Sequence, residues 1–164
     1  VVDHRGNIRC DSTQGAGASF IIELPVAAEP AASKPRDFPV AAGGSEGVLL
    51  VDDEALVRRA LRAVLEQAGF RVFEAGDGSE GLSLLSRHAG NIDVIVLDRS
   101  MPRMSGDEFL VQLGSQRSRV PVVLLTGHAG GEPDLDGVDA VMMKPPRSAE
   151  LLRAIRDVLD ARRQ

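Results

Sequence analysis

Three continuous apolar runs constrain the fold more than any other feature of the sequence. They are VLLV at 48–51, DVIVLD at 93–98 and VPVVLLT at 120–126. A strand that helices cover on both faces has no wet side, so its residues are apolar throughout rather than alternately apolar and polar. The three runs therefore predict the central strands of a parallel sheet.

Two shorter segments predict the outer strands of the same sheet. RVFEA at 71–75 alternates, which is typical of an edge strand with one exposed side, and DAVMMK at 139–144 predicts a fifth strand. Parallel neighbours need crossover connections, and helical patterns lie between these strands, so we predict a doubly wound α/β domain. The last crossover, GHAGGEPDLDGV at 127–138, is rich in glycine, and we expect its helix to be short or partly lost.

Apolar spacing and capping residues predict the helices. One stripe on a first helix, ending near Gly69, comprises Leu56, Val57, Ala60, Leu61, Val64, Leu65 and Ala68. The opposite, exposed face of this helix is predicted to carry Arg58, Arg59, Arg62, Glu66 and Gln67. A last helix is predicted through Leu151, Leu152, Ile155, Val158 and Leu159. The pairs Asp77 with Glu80 and Ser105 with Glu108 have capping-box spacing and predict two further helix starts.

A segment rich in proline, alanine and glycine divides the chain. Residues 26–46 have this composition, which predicts a linker between a short N-terminal segment, 1–25, and a compact region, 47–164. We expect the N-terminal segment to form a short β tail. The abrupt start at Val1 leads us to expect a piece of a longer protein.

Charge and cysteine content narrow the classes of function. The net charge is -5, from 24 acidic and 19 basic residues, and no long basic cluster is present, so direct nucleic-acid binding is not expected. Cys10 is the single cysteine, which excludes an intrachain disulfide framework. No apolar stretch approaches the roughly 20 residues that span a bilayer. We expect a cytoplasmic location without membrane contact by this segment, in a parent protein that could itself be membrane-anchored.

Polar residues stand where the predicted strands end. Asp52 and Asp53 follow the first apolar run, Asp98 ends the third strand, Thr126 ends the fourth and Lys144 ends the fifth. Ligand sites of open α/β sheets lie beyond the carboxyl ends of the strands. We therefore expect three carboxylates, a hydroxyl and an ammonium to converge on one edge of the sheet.

This set of groups indicates phosphoryl chemistry. Three neighbouring carboxylates repel one another unless a cation relieves them, and Mg²⁺ prefers oxygen ligands together with a phosphate oxygen. Lys144 would neutralise phosphoryl charge and Thr126 would bond another phosphoryl oxygen, which leaves Asp98 as the nucleophile. An alternative is structural, because Asp53 could instead cap a helix that starts near Glu54.

Four motifs resemble the receiver domain of two-component response regulators. LLVDDE, VIVLDRSMPRMSGDEFL, PVVLLTG and MMKPP occur in that family's order, over residues 47 to about 160. The resemblance implies a flavodoxin-like five-stranded parallel sheet of order 2-1-3-4-5. It also implies that Asp52 and Asp53 are the acidic pair of a Mg²⁺ site, and that Asp98 accepts a phosphoryl group from a kinase phosphohistidine.

The resemblance further implies roles for residues around Asp98. The backbone carbonyl of Ser100 would complete the metal site, Thr126 would be the switch hydroxyl, and the Lys144–Pro145 peptide bond would be cis. Within the acidic pair we expect Asp53 to touch the metal directly and its neighbour Asp52 to act through a coordinated water. Such a domain catalyses its own phosphorylation and dephosphorylation.

The N-terminal segment resembles the end of the ATP-binding domain of sensor histidine kinases. In VVDHRGNIRCDSTQGAGASFIIELP, Gly15, Gly17 and Phe20 match the last glycine-rich box before a closing strand. This order of segments implies the C-terminus of a hybrid sensor histidine kinase. The expected partners are a sensor histidine kinase core, own or cognate, or a histidine phosphotransfer domain. Residues 1–25 lack the other kinase boxes, so kinase activity is not expected of this segment.

Departures from the family keep other functions open. Val141 stands where receivers usually carry an aromatic residue, and the chain has no Tyr or Trp, which favours a phosphorylation-independent pseudo-receiver as the alternative. A dehalogenase-type phosphohydrolase is disfavoured because Ser100 stands where that chemistry needs a second Asp. His128, two residues after Thr126, is a hypothetical modulator of acyl-phosphate hydrolysis.

Overall fold

The structure, a computed structural model, describes most of the chain. The described residues are 6–13, 15, 17–23, 25, 45–114, 120–127 and 137–162. The chain divides into two compact units, Val1–Asp37 and Phe38–Gln164. The division falls within the segment 26–46, whose prediction as a linker rests on composition.

The first unit contains an antiparallel hairpin of β1 (Asn7–Thr13) and β2 (Gly17–Glu23), which is the predicted short β tail. Cys10 pairs with Phe20 across the hairpin. Gly17 opens the second strand at a φ of 93°, a left-handed conformation that costs glycine little.

The second unit contains a five-stranded parallel sheet. Its strands are β3 (Gly47–Val51), β4 (Arg71–Ala75), β5 (Val94–Asp98), β6 (Val122–Thr126) and β7 (Ala140–Met143). Their order is β4-β3-β5-β6-β7, which confirms the predicted 2-1-3-4-5 topology. The central strands β3, β5 and β6 are buried at every position, whereas the edge strands are partly exposed.

Helices cover both faces of the sheet. They are α1 (Ala55–Gln67), α2 (Gly78–Arg87), α3 (Gly106–Leu113) and α4 (Ser148–Ala161). Because successive strand residues point to opposite faces, each face has its own core. Helices α1 and α4 pack with Leu50 and Val96 on one side, and α2 and α3 pack with Leu49 and Leu97 on the other. The predicted doubly wound fold is therefore confirmed.

The two predicted capping boxes differ in their hydrogen bonds: one is complete and the other is not. Ser105 and Glu108 form a complete box at the start of α3, with each side chain bonded to the other residue's backbone. At α2, Asp77 accepts from the Glu80 backbone N–H, but the Glu80 carboxylate reaches one residue further back and accepts from Gly76 at 2.7 Å. Both helices nevertheless begin within a residue of the predicted position.

The buried stripe of α1 is narrower than predicted. Leu61 and Leu65 are buried, but Leu56 is 74% exposed and Ala60 is exposed as well. Leu56 and Ala60 are four residues apart and share one side of the helix, whereas Val57, in the same turn as Leu56, packs against the core. Arg58 departs in the opposite direction, since its side chain is only 20% exposed although we predicted it on the solvent face.

Carboxylates also fix the amino ends of the strands. The Gly47 N–H donates to Asp93 at 2.7 Å, and the Val122 N–H donates to Asp139 at 2.8 Å. The first N–H groups of these strands are thereby satisfied although the strands are buried. These two carboxylates therefore have a structural role.

A buried ion pair lies at the same end of the sheet. Glu46, just before β3, is 8% exposed and accepts from Arg156 of α4 at 3.0 Å. The Arg156 guanidinium also lies over the Phe70 ring, 5.6 Å from its centroid. Through Arg156, the residue that precedes β3 is joined to the last helix.

Three predictions fall on parts of the chain that the structure leaves undescribed. All but the last two residues of the predicted linker 26–46 lie outside the described residues. Most of the crossover at 127–138 lies outside the described residues, and so does His128. Within the described residues, no helix combines the length and the apolarity needed to cross a bilayer.

Candidate functional site

The carboxyl edge of the sheet brings the predicted site residues together. Asp52 and Asp53 follow β3 and Asp98 ends β5, and one carboxylate oxygen from each lies within 4.8 Å of the others. Lys144 follows β7 and places its Nζ 2.8 Å from Asp52 and 2.8 Å from Asp98. Thr126 ends β6 and is 6% exposed, and its backbone carbonyl accepts from the Lys144 backbone N–H at 2.8 Å.

The two members of the acidic pair have different surroundings. Asp52 is fully buried, and its two oxygens accept from the Glu54 backbone N–H and from Lys144, each at 2.8 Å. Asp53 is exposed. The N-cap residue of α1 is Glu54, and no side chain caps this helix, so the alternative that Asp53 is a capping residue is wrong.

Asp98 is held by two donors at the end of β5. It is 3% exposed, its Oδ1 accepts from the Ser100 backbone N–H at 3.1 Å, and its Oδ2 contacts Lys144. The chain therefore turns between Asp98 and Ser100 so that the Ser100 N–H points at the Asp98 carboxylate. The role expected of the Ser100 carbonyl stays a prediction.

Lys144 is itself a cation that relieves carboxylate repulsion. Burial is the largest influence and lowers the pKa of Lys144, but hydrogen bonds and coulombic attraction from Asp52 and Asp98 together raise the pKa above its ordinary value. The predicted cis peptide bond between Lys144 and Pro145 is confirmed. Lys144 therefore relieves part of the repulsion between the carboxylates at this edge, whereas from the sequence we expected a metal ion alone to relieve it.

The donor set still fits a hard divalent cation. Three carboxylates and one ammonium leave a local excess of negative charge, and the exposed Asp53 gives access from solvent. Oxygen-only ligands with open positions for water are the environment in which Mg²⁺ binds. The residues present can therefore hold such an ion.

Sequence reasoning missed two residues that shape this edge. The Arg58 side chain donates to the Asp52 backbone carbonyl at 2.6 Å, a contact that no spacing rule indicates. Gly106, the first residue of α3, lies so close to β5 that a Cβ there would be 2.7 Å from the Asp98 carbonyl oxygen. A glycine directly after the N-cap Ser105 was the available signal for this close approach.

Comparison with known proteins defines the class of this domain. Residues 48–156 match the family described as the response regulator receiver domain. This match covers more than half of the chain, so the protein belongs to the receiver-domain family of two-component systems. The resemblance inferred from the motifs is thereby confirmed for the receiver.

Individual relatives show which proteins carry similar receivers. Sensor kinase CckA of Brucella abortus is 35% identical over 135 residues, covering 76% of this chain and 14% of that protein. Cell cycle response regulator CtrA of Brucella ovis is 31% identical over 116 residues, covering 68% of this chain and 49% of that protein. This chain therefore spans at most about half the length of these two relatives.

Solved structures show the same fold. The crystal structure of a response regulator receiver domain protein from Clostridium thermocellum superposes with a TM-score of 0.65 at 28% identity, covering 72% of this chain and 97% of that chain. The Francisella response regulator 1452 receiver domain gives a TM-score of 0.63 at 30% identity, covering 73% and 100%. The five-stranded unit is thus similar to whole receiver domains.

Proposed function

We propose that this receiver accepts a phosphoryl group from a phosphohistidine onto Asp98, as one step of a phosphorelay. The observation that carries the proposal is the contact of the buried Asp98 carboxylate with Lys144 inside a group of three carboxylates. Carboxylates form aspartyl-phosphate intermediates, and an adjacent ammonium can stabilise the negative charge on the incoming phosphoryl group.

The proposed reaction uses the donors already around Asp98. One carboxylate oxygen forms a bond to phosphorus, the bond between phosphorus and the donor imidazole nitrogen breaks, and its electron pair leaves with that nitrogen. Lys144 exchanges its contact with Asp98 for a phosphoryl oxygen and keeps its contact with Asp52. The Thr126 hydroxyl donates to another phosphoryl oxygen. Water later hydrolyses the acyl phosphate.

Asp53, Asp98 and the Ser100 carbonyl would hold Mg²⁺, with Asp52 acting through a coordinated water. When bound, the ion supplies neutralisation of the negative charge shared by the carboxylates and the phosphoryl group. The unequal surroundings of the acidic pair support these roles, because both oxygens of Asp52 already accept from protein donors whereas Asp53 is exposed.

Phosphorylation adds nearly two negative charges at neutral pH. We propose that Thr126 and Lys144 move toward this charge and shift a pre-existing equilibrium of the nearby surface. This change of the surface would not use the aromatic residue that is usual in receivers, because Val141 occupies that position and is 46% exposed.

The chain context is proposed from order and from one relative. Residues 1–25 would be the last strands of a histidine-kinase ATP-binding domain, 26–46 a linker and 47–164 the receiver of a cytoplasmic hybrid kinase region. The match to Sensor kinase CckA covers a larger share of this chain than residues 47–164 can supply, so it extends upstream of Gly47. The phosphoryl donor or acceptor would be a kinase core or a histidine phosphotransfer domain.

The test is a phosphorylation assay on the full chain with acetyl phosphate and Mg²⁺. Mass spectrometry should show the addition of one phosphoryl group to the wild type and none to Asp98→Asn, which keeps the shape but removes the nucleophile. Asp93→Asn is the matched control, since it alters a carboxylate at the opposite edge and should leave the modification intact. No adduct, or one that persists in Asp98→Asn, would overturn the proposal.

One observation favours a second candidate, a pseudo-receiver that binds a partner without phosphorylation. The half-exposed Val141 and Met143 on β7 provide an apolar surface where the usual aromatic is missing. Titration with Mg²⁺ separates the two candidates, because an interaction module has no need to bind the ion.

A further inference from the structure

The turn that carries Asp53 is held from three sides. The Asp52 backbone N–H donates to Ala75 of β4 at 3.2 Å, and the Asp52 carboxylate accepts from the Glu54 N–H. The Asp52 carbonyl oxygen accepts from the Arg58 guanidinium at 2.6 Å. No side chain caps α1, whose N-cap residue is Glu54, and the Arg58 guanidinium restrains the backbone two residues before that position.

We propose that Arg58 is a positioning residue that holds the Asp52–Asp53 peptide so that the Asp53 carboxylate faces the cation site. The inference rests on the proposed function, because it concerns the same Mg²⁺ site. Arg58 acts on the backbone immediately before Asp53 and contacts neither the phosphoryl group nor the ion. Restraining a ligand before binding lowers the entropy lost when the ion binds, which is how outer contacts raise metal affinity.

Arg58 is itself anchored on β4. Its Nε lies 3.6 Å from Glu74, and both side chains are at most a quarter exposed, at 20% and 25%. The anchor limits the rotamers of Arg58, so its hydrogen bond to the Asp52 carbonyl costs little further side-chain entropy.

The charge of Arg58 is opposed by neighbouring carboxylates. Arg62, one turn later on α1, contacts both Glu66 and Glu74, so two guanidinium groups and two carboxylates form a neutral cluster. Removing Arg58 leaves this cluster with one excess negative charge, which by itself favours cation binding, but salt screens this contribution. We expect the loss of restraint to outweigh it, so truncating Arg58 should weaken Mg²⁺ binding.

The experiment measures Mg²⁺ affinity of the full chain by isothermal titration calorimetry. Arg58→Met should raise the Mg²⁺ dissociation constant about tenfold, near the lower limit for contacts that orient metal ligands. Arg58→Lys keeps the charge and one donor, so its dissociation constant should fall between those of Arg58→Met and the wild type. At saturating Mg²⁺, Asp98 of both variants should be phosphorylated within about twofold of the wild-type rate.

Arg62→Met is the matched control, because Arg62 shares Glu74 and the same helix but does not contact Asp52. Its dissociation constant should stay within about twofold of the wild type, and thermal melts without Mg²⁺ report the stability of each variant. The inference is overturned if Arg58→Met binds Mg²⁺ as tightly as the wild type, or if Arg62→Met weakens binding equally. Wild-type protein that binds no Mg²⁺ would instead refute the proposed function on which the inference depends.

Discussion

The two edges of the parallel sheet both contain buried carboxylates beside a cation, but their charge balance differs. At the amino edge Glu46 meets the guanidinium of Arg156 at 3.0 Å. At the carboxyl edge Asp52 and Asp98 share the single ammonium of Lys144. A third carboxylate, Asp53, lies beside that pair, so three clustered carboxylates share one ammonium at the carboxyl edge.

The remaining contacts at each edge sharpen this difference. Asp93 and Asp139 at the amino edge accept from backbone N–H groups at the starts of buried strands, which stabilises the sheet. At the carboxyl edge Asp53 is exposed. Carboxylates can therefore occupy both edges of one sheet and serve stability at one edge and ligand chemistry at the other.

The largest expected effects come from removing the cation at each edge. Arg156→Met removes the guanidinium that contacts the buried Glu46 and should lower the free energy of unfolding by about 3 kcal/mol, with unchanged Mg²⁺ affinity. Lys144→Met should also destabilise the protein by about 3 kcal/mol, but it should tighten Mg²⁺ binding about tenfold, because a cation competing for the same carboxylates is gone.

Urea denaturation with and without Mg²⁺ measures both quantities for the two variants. Saturating Mg²⁺ should stabilise Arg156→Met only as much as it stabilises the wild type, because the two bind the ion equally. In Lys144→Met, tenfold tighter binding should add about 1.4 kcal/mol to this effect and so restore roughly half of the lost stability. Equal responses of the two variants to Mg²⁺ would remove the distinction between the edges.

Substitution of one glycine at each edge should reveal a smaller functional difference between the two edges. A Cβ at Gly47 would overlap the Asn91 carbonyl oxygen at the amino edge, and a Cβ at Gly106 would press on the Asp98 carbonyl. Gly47→Ala and Gly106→Ala should each cost about 2 kcal/mol of unfolding free energy through overpacking. Only Gly106→Ala should also slow phosphorylation of Asp98, because it displaces the backbone of the nucleophile.

The two alanine variants can be compared by chemical denaturation and by the acetyl phosphate assay on the same samples. A Gly47→Ala protein that folds but phosphorylates slowly would show that the amino edge influences the chemistry. That result would contradict a purely structural role for this edge.

The smallest expected effect concerns the capping box of α3, which starts beside the carboxyl edge. Ser105→Ala should cost about 1 kcal/mol of unfolding free energy at neutral pH. Hydrogen bonds from the Ser105 backbone N–H and hydroxyl lower the pKa of Glu108. The stability from this lowered pKa is present above the ordinary glutamate pKa and is lost as the pH falls through the folded-state pKa.

Denaturation of wild type and Ser105→Ala from pH 7 down to about pH 3, across the ordinary glutamate pKa, measures this dependence. The difference in stability should shrink as the pH falls below 4.5, the ordinary value for Glu108. A difference that stays constant over this range would show that the hydrogen bond from the Ser105 hydroxyl to the Glu108 carboxylate contributes nothing, because Ser105→Ala keeps the backbone N–H of residue 105.

Much of the fold could be predicted because its signals are local. Runs such as 93–98 are apolar throughout because both faces of the strand are covered, and the capping box of Ser105 and Glu108 marks a helix start within four residues. The positions of Asp98 and Lys144 at the carboxyl edge followed from where the strands end. The exposure of Leu56 was missed because apolar periodicity does not record how wide a stripe of the helix the sheet covers: Leu56 is exposed, whereas its neighbour Val57 packs against the core.

The sequence alone determined the strand and helix pattern, the receiver motifs and the edge of the sheet at which the candidate site lies. Only the tertiary structure decided how the charges are shared: Lys144 bridges Asp52 and Asp98, Arg58 holds the Asp52 carbonyl, and Asp53 is left exposed. These contacts join residues on different elements. A hydrogen bond requires a donor and an acceptor about 3 Å apart. Side-chain packing, rather than the spacing of residues along the chain, decides which groups come that close.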